Sequence, residues 1–548
     1  MLTYTPYDSN RLPVATEKPW LLLLLAFVWL WPGIFGHTPW KPDEPFVTAV
    51  VQHFVAGGHW MLPTVAGQPY LEYAPLYYWL AAVLVKLLSP WLLPLHDAAR
   101  LATPLFMAVA LAFAGGLGRE LVGRRHGRSV VLILIGSLGL IVTGHEMNPV
   151  VAGFAGFAAA LYALVLTWRS PAIAGALLGA AIVVIFLSTN LLQLLLISSV
   201  ALLLPAFAAW RNKNYAITLA MALLFALPLL LVWPWALYKN YPPVFALWWQ
   251  NYALGPLQGF GKLGLFHELG YYPKLVLWYG WPAWPLAAWT LWKNRRYEQP
   301  LLQLPLLCFA VMLLLLTFSS RSLSEDAMVL LLPLALLAAV ELDSLRRGAS
   351  SFLNWFGLMA FGFFAVLVWL GWAAMNFGWP ERLARRAAYF SPYYTPQVST
   401  VAVLLAVVAT ALWLWAVTRR HLRGRQAVTN WAAGLTLFWG LLLSLWLPFL
   451  DAAKSYQPVV QGMLRALPAG DQCVAVEQGQ TMARISWGYY ANLQLRPFAP
   501  GQPLPCRLWL LVRDPSHGLT LPAGWQPRWQ GNRARDKHEQ YLLLQKQG

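Results

Sequence analysis

Residues 75–94, PLYYWLAAVLVKLLSPWLLP, are apolar over the length of a membrane span but carry Pro75, Lys86 and Pro90. A helix needs about 20 apolar residues to cross about 30 Å of hydrocarbon, so whether this stretch crosses decides the topology of all that follows. Thirteen other runs have the character of spans: 20–36, 97–117, 129–144, 149–167, 171–187, 190–209, 215–237, 273–293, 301–318, 327–341, 353–374, 399–417 and 430–449. Basic residues gather between them in six short loops: Arg119, Arg124, Arg125 and Arg128; Arg169; Arg211 and Lys213; Lys293, Arg295 and Arg296; Arg346 and Arg347; Arg419, Arg420, Arg423 and Arg425. Such an excess marks the cytoplasmic side. From Arg119 onward the loops alternate only if 75–94 does not cross and the N-terminus is cytoplasmic. The stretch is therefore read as a juxtamembrane or re-entrant helix within a first external loop, 37–96.

Composition agrees with a polytopic α-helical membrane protein. Of 548 residues 59% are hydrophobic and 11% charged, with 31 Trp and a net charge of +18. So dilute a charge excludes a soluble globular enzyme, a disordered chain and a nucleic-acid-binding basic domain. The positive excess is a topology signal, and no nucleic acid is expected as partner. Residues 1–18 are polar and the first apolar run has spanning length, so an anchor is expected rather than a cleaved signal peptide. The Gly pairs at 57–58 and 115–116 lack the strand, spacing and acidic partner of a nucleotide-binding fingerprint.

The external loops are then 37–96, 145–148, 188–189, 238–272, 319–326 and 375–398, which hold nearly all the acids near membrane depth, so chemistry is expected at the external face. From 452 the composition changes. Residues 454–466 and 482–491 read as helices, and 473–477, 506–512, WQPRWQG and EQYLLLQ as strands. The chain divides into a membrane domain, 1–451, and a small external α/β domain, 452–548. Cys308 reads as a small buried hydrophobe. Cys473 and Cys506 are free to pair or not in an oxidising compartment.

The first external loop contains WKPDEPF at 40–46 and HFVAGGHWMLPTVAGQPYLEYAPLYYW at 53–79. Asp43 and Glu44 follow Pro42 at the beginning of a helix whose Phe46, Val50, Val51 and Phe54 make an interfacial stripe. One reading is an N-terminal helix cap. The other is function, because adjacent carboxylates beside a membrane core are costly unless paired or used.

These residues resemble the first external loop of the polyprenyl-phosphate-sugar-dependent glycosyltransferases of family 39, among them the bacterial aminoarabinose transferases of lipid A and, more distantly, the protein O-mannosyltransferases. That pattern is an Asp-Glu pair, a turn matched by Gly58-His59-Trp60, and a Glu-Lys-Pro-Pro segment leading into aromatics. Thirteen spans and an external C-terminal domain match the bacterial branch as well. The resemblance implies a GT-C fold in the bacterial inner membrane, with a periplasmic active site and C-terminal domain. It implies transfer of a sugar from undecaprenyl phosphate to lipid A or another envelope glycolipid or glycan.

Carried over by position, Asp43 matches the acid at the sugar-transfer centre and Glu72 the Glu of the Glu-Lys-Pro segment. Departures follow: Tyr73 and Ala74 replace the Lys and first Pro. The second motif is Glu146-Met147-Asn148-Pro149, so its Asp position is Asn148 and Glu146 is the nearest carboxylate. Ser188-Thr189-Asn190 stands where relatives have another Lys, and SSRSLSEDAMVLLL at 319–332 replaces a Lys-containing run. Aminoarabinose specificity is therefore not expected. The lost lysines favour an alternative, a GT-C-like scaffold that binds polyprenyl lipid or a protein partner without turnover. Retention of Asp43 and Glu72 argues against it. A flippase would carry charges within its spans and internal repeats, and neither is found.

Asp43, Glu72 and Glu146 are the catalytic candidates, with Asp43 as the base for the incoming hydroxyl. Charge on the departing phosphate calls for a cation. Arg321 is the first choice, with Lys262 and Arg382, Arg385 and Arg386 as others. Glu44, Tyr73, Trp248, Trp249 and Tyr252 complete the expected substrate-binding set; the aromatics equally suit anchoring at the membrane interface. Glu72, Glu146, His145, His59 and His267 are of metal-ligating type. Some relatives bind a divalent ion near the acidic positions, though no HxxxH or HExxH spacing supports a site here.

Overall fold

The computed structural model describes residues 19–261, 270–418, 424–468, 473–516, 521 and 524–546. Among them, seven helices are long and apolar enough to cross a membrane: Leu95–Leu121, Pro171–Ser188, Lys213–Asn240, Pro300–Thr317, Arg347–Phe377, Thr400–Val417 and Gly424–Leu445. The remaining expected spans are helical but shorter or broken, so thirteen full crossings are not established. Leu76–Leu88 has 13 residues, about 20 Å of rise against about 30 Å of hydrocarbon. That length falls short of the hydrocarbon thickness, as do several helices within the expected spans. Tyr77, Tyr78, Ala81, Ala82 and Val85 are buried on it.

Two spans read as continuous are interrupted. The run 129–144 divides into His126–Ile135 and Leu138–Thr143, and the run 273–293 into Tyr271–Tyr279 and Ala283–Lys293. A break at membrane depth leaves backbone groups that lipid cannot satisfy. Here the two breaks lie against each other: the Leu138 amide donates to the Trp281 carbonyl at 3.1 Å. The Trp431 indole donates to the Gly136 carbonyl at 2.8 Å. A Cβ on Gly136 would come within 2.8 Å of that indole, so glycine is what lets the ring approach.

Charge alternation sorted the loops into two sets, and among the described residues contacts join members of the same set. In the basic set Arg169 pairs with Glu120 at 2.8 Å, Lys293 with Glu341 at 3.2 Å and Arg425 with Asp343 at 2.7 Å. In the other set the first loop meets Met147, the 319–326 loop meets Pro256, and Tyr393 donates to the Asn532 carbonyl at 2.8 Å.

The C-terminal domain packs Gln457–Ala466 and Thr481–Ala491 on a five-stranded mixed sheet. Its strand order is Arg496–Phe498, Val474–Glu477, Leu508–Arg513, Gln540–Lys546, Trp525–Gly531, with the first three parallel and the rest antiparallel. The strand Arg496–Phe498 was not anticipated. Cys473 and Cys506 form a disulfide with Cα atoms 5.4 Å apart, and Cys308 is buried. The domain sits on the first loop. Lys41 reaches Glu539 at 2.6 Å, His96 meets the Tyr489 hydroxyl at 2.7 Å, and Arg484 donates to the Ala66 carbonyl.

This contact corrects the expected interfacial stripe. Val50, Val51 and Phe54 on Glu44–Val55 are fully buried, clustered with Tyr77, Tyr78, Ala98, Ala99 and Ile485 of the C-terminal domain. Amphipathic spacing identifies an apolar face but not whether lipid or protein covers it.

One buried ion network fastens the first loop. Arg100, with no exposed surface, grips Glu44 from Nε at 3.2 Å and Nη2 at 3.1 Å and reaches Asp97 at 2.8 Å. It also donates to the Ile34 and His37 carbonyls. Removing one partner of such a network leaves an uncompensated buried charge, at a cost of about 3–5 kcal/mol. Arg100→Met is expected to lower the thermal unfolding midpoint of the detergent-solubilised protein, and the Arg100→Met/Glu44→Met double variant to recover part of the loss. An unchanged midpoint in the single variant would show that the network does not hold the loop.

Candidate active site

Asp43 and Glu44 are consecutive, yet they are used in different ways. Glu44 is buried and accepts from Arg100, from the Trp40 amide at 2.9 Å and from the Met147 amide at 3.4 Å. Burial alone would raise its pKa, but Arg100, His37 and the hydrogen bonds from Arg100 and Trp40 outweigh that and hold the carboxyl down to about 2. Both of its oxygens are committed to structure, which corrects its expected role in binding substrate.

Asp43 is the N-cap residue of Glu44–Val55, but its backbone is helical (φ −95°, ψ −37°) and its side chain makes no capping hydrogen bond. Pro45 removes one of the amides a cap would serve, and the Phe46 and Val47 amides use the Asp43 carbonyl instead. Among the described residues the Asp43 carboxyl has no ion pair. Burial, followed by the negative charges of Glu325, Glu72 and Glu44, pushes its pKa up to about 6. A carboxyl at that value accepts a proton at neutral pH more readily than an ordinary aspartate.

Within electrostatic reach of Asp43, which does not line it, is a narrow cleft lined by Glu72, Tyr73, Asn190, Pro256, Arg321, Leu323 and Asp326. Glu72 accepts from the Tyr70 hydroxyl at 2.9 Å and stands 3.9 Å from Arg321. Arg321 also lies over the Tyr252 ring, 5.6 Å from its centroid. The Ser320 hydroxyl and amide bond the Gly255 and Pro256 carbonyls at 2.7 and 3.0 Å, which closes one wall. The cleft therefore gathers residues from the first loop, 190, 252–256 and 319–326. Burial raises the Tyr73 hydroxyl, and the carboxylates Glu325, Asp326, Glu72 and Asp43 raise it further, so it is an uncharged group at neutral pH.

Glu146 is half-buried, and its backbone carbonyl accepts from Thr103, whose hydroxyl also meets Tyr77. Burial, then Glu44, push its carboxyl up to about 7, with Lys454 opposing. It lies among the acids around Asp43 but does not line the cleft. Trp248 is corrected: it is 5% exposed and packs edge-on against Trp233 at 5.0 Å. Trp249 is exposed and stacks beside Phe245, outside the cleft. Lys262 and His267 lie outside the described residues. Arg382, Arg385 and Arg386 sit on a separate surface helix.

One cleft acid was missed. Asp326 is buried, accepts from Gln193 at 2.8 Å and is pushed up to about 7 by burial and then by Glu325. The signal was present: Glu325-Asp326 precedes an apolar helix just as Asp43-Glu44 does. Among the described residues no three His, Cys, Asp or Glu side chains form a metal-binding group. A second hollow of about 400 Å³ opens at His59, Trp60, Met61, Asn240 and Tyr241, against the Gly58-His59-Trp60 turn.

In infrared difference spectra a carboxyl band absent from Asp43→Asn is expected to titrate near pH 6. Removing a negative neighbour favours ionisation, so Glu325→Gln or Glu72→Gln is expected to move that midpoint down. A midpoint near 4 in the unaltered chain, or no shift in either variant, contradicts the assigned environment.

No family model matches the chain. It is 28% identical over 457 residues, 78% of this chain and 75% of the relative, to an undecaprenyl phosphate-alpha-4-amino-4-deoxy-L-arabinose arabinosyl transferase of Pseudomonas aeruginosa. A Sodalis glossinidius transferase of the same description is 29% identical over 351 residues, covering 58% of each chain. The crystal structure of ArnT from Cupriavidus metallidurans bound to undecaprenyl phosphate superposes with a TM-score of 0.63 at 15% identity, over 95% of this chain and 96% of that one. Its apo form matches equally, with a TM-score of 0.63 at 16% identity. The chain thus has the GT-C fold of ArnT and resembles the undecaprenyl-phosphate aminoarabinose transferases along most of its length.

Proposed function

We propose that the protein is an inner-membrane glycosyltransferase that moves a sugar, hexose or pentose, from an undecaprenyl-phosphate carrier to lipid A or another periplasmic-side envelope glycolipid or glycan. The observation that carries this reading is the division of labour between adjacent acids. Glu44 is consumed by Arg100, and Asp43 is left without an ion pair, with raised pKa, in electrostatic reach of Glu72 in a cleft that holds one arginine.

In the reaction the Asp43 carboxylate takes the proton of the acceptor hydroxyl as its oxygen bonds to the anomeric carbon. The bond from that carbon to the phosphate oxygen breaks, and its electron pair leaves with undecaprenyl phosphate. Arg321 faces the growing charge on the phosphate. Glu72 and Tyr252 both contact the guanidinium, and a planar fork suits phosphate oxygens better than an ammonium does. Because Arg321 supplies the cation, no divalent ion is required in this scheme.

Two independent observations support a periplasmic cleft. The basic loops carry the charge excess typical of the cytoplasmic side, and the cleft is built from the other set of loops. The disulfide in the domain resting on the first loop suits an oxidising periplasm. The cleft has about 10 Å³ of free space, about one water. Entry of a lipid-linked sugar calls for its walls to part, and the Ser320 bonds to Gly255 and Pro256 span one of those walls.

Asp43→Asn is expected to lower transfer by at least about 10²-fold in membranes containing equal amounts of protein. Transfer by the unaltered enzyme is expected to fall as pH drops below about 6, because only the ionised carboxyl accepts a proton. Arg321→Gln is expected to lose most of the rate, Arg321→Lys to keep part, and EDTA to leave the rate unchanged. Mass spectrometry of envelope glycolipids from a deletion strain decides against the scaffold reading if a sugar-bearing species disappears and returns with the wild-type gene but not with Asp43→Asn. Identical lipid masses in all three strains would defeat the transferase reading.

A further inference from the structure

The chain between Arg347–Phe377 and Thr400–Val417 takes no part in the cleft, yet it is firmly built. Gly378 ends the first helix in the left-handed region (φ +75°), and the helix Glu381–Phe390 follows directly. Beyond it the chain is pinned back: Asn376 Oδ1 accepts from the Tyr394 hydroxyl and the Gln397 amide, both at 3.0 Å, and Ser391 is buried. The short helix is thus held at both ends, while none of its own residues is buried.

Helical spacing sorts its faces. Ala384 and Ala387, the two half-covered residues, face the protein. Arg382, Arg385, Arg386 and Tyr389 lie on the opposite side, and Leu383 and Phe390, seven residues apart, form one flank. Leu383 is 37% and Phe390 58% exposed, and Phe377 and Trp379 just before the helix are 66% and 68% exposed. Glu381 is the one acid of the helix and stands 3.7 Å from Arg385. Among the described residues Arg382 and Arg386 have no ion pair or hydrogen bond. Arg535 of the C-terminal domain adds a fourth guanidinium, over the Tyr389 ring.

The apolar flank is followed in the chain by Thr400–Val417, a helix of spanning length on which only Ala406 and Trp413 are buried. Water alone would leave that flank costly, and a purely apolar environment would leave the arginines unmatched. A headgroup layer satisfies both, with acyl chains against the flank and phosphates against the guanidinium forks. We propose that Glu381–Phe390 is an interfacial anchor on the cleft side of the membrane that binds the phosphates of anionic lipids through Arg382, Arg385 and Arg386. The anchor holds the end of Arg347–Phe377, and with it the Tyr393–Asn532 contact to the C-terminal domain, at a set depth.

The test uses the full chain with Phe390→Cys carrying a nitroxide. Cys308 is buried and Cys473 is bonded to Cys506, so the new thiol is the reactive one. Depth is read from oxygen against nickel-chelate accessibility in phosphatidylethanolamine vesicles with and without phosphatidylglycerol. The label is expected at headgroup depth, deeper when phosphatidylglycerol is present. The added depth is expected to be lost in Arg382→Gln/Arg385→Gln/Arg386→Gln, which touches no buried residue. A label equally water-exposed in every vesicle overturns the proposal and leaves the face to a protein partner. A triple variant that keeps the phosphatidylglycerol response also overturns it. So does inorganic phosphate that, in detergent without lipid, orders the label as phosphatidylglycerol does, since the helix would then be a site for soluble anions.

Discussion

The grip of Arg100 on Glu44 is the interaction on which the cleft end of the molecule depends. Two carboxylates, Glu44 and Asp97, meet one guanidinium in a region closed to water. Such a cluster persists only because its remaining donors and acceptors are satisfied, here by the Trp40, Met147 and Gly36 amides and the Ile34 and His37 carbonyls. Those partners come from the end of the first apolar helix, the first loop, the Leu95–Arg100 helix and the loop after Thr143. One charge cluster therefore fixes the relative positions of four segments. It also explains why the neighbouring Asp43 remains uncommitted: its surroundings hold carboxylates and little compensating charge.

The same rule of satisfied polarity operates at membrane depth. The breaks near 136 and 281 would each be prohibitive in lipid, but each supplies the partner that the other lacks. Their mutual contact, with Trp431 closing it, sets how these helices lie against Gly424–Leu445. Toward the cleft, Tyr279 above the break meets Thr143 at 3.2 Å, close in the chain to His145 and Glu146. Packing in the bundle and placement of the acidic loops are thus one continuous arrangement.

Much of this was legible from the chain alone. The sorting of loops by charge placed Asp43, Glu72, Glu146, Tyr252 and Arg321 at one face before any of them could be seen together, because topogenic charge is a local property of each loop. The helices and most of the strands after 452 follow from periodicity. Glu44 and Trp248 were misread because the residues that consume them, Arg100 and Trp233, are 56 and 15 positions away. The place of Asp326 in the cleft was not legible because the partner that holds it there, Gln193, is 133 positions away. The stripe on Glu44–Val55 was read as facing lipid, since spacing is the same whichever surface covers it.

Length, hydropathy and the distribution of arginines determined by themselves that the chain is a multi-helix membrane protein with an acidic, chemically equipped face and a small mixed domain beyond it. Only the tertiary structure decided which member of an adjacent acid pair is free, which tryptophan is core and which loops share the cleft. Each of those outcomes turns on a charge or ring delivered from a distant segment. A buried carboxylate's state is set by the counter-charge within a few ångströms of it, and nothing in its own sequence neighbourhood reveals whether that counter-charge arrives.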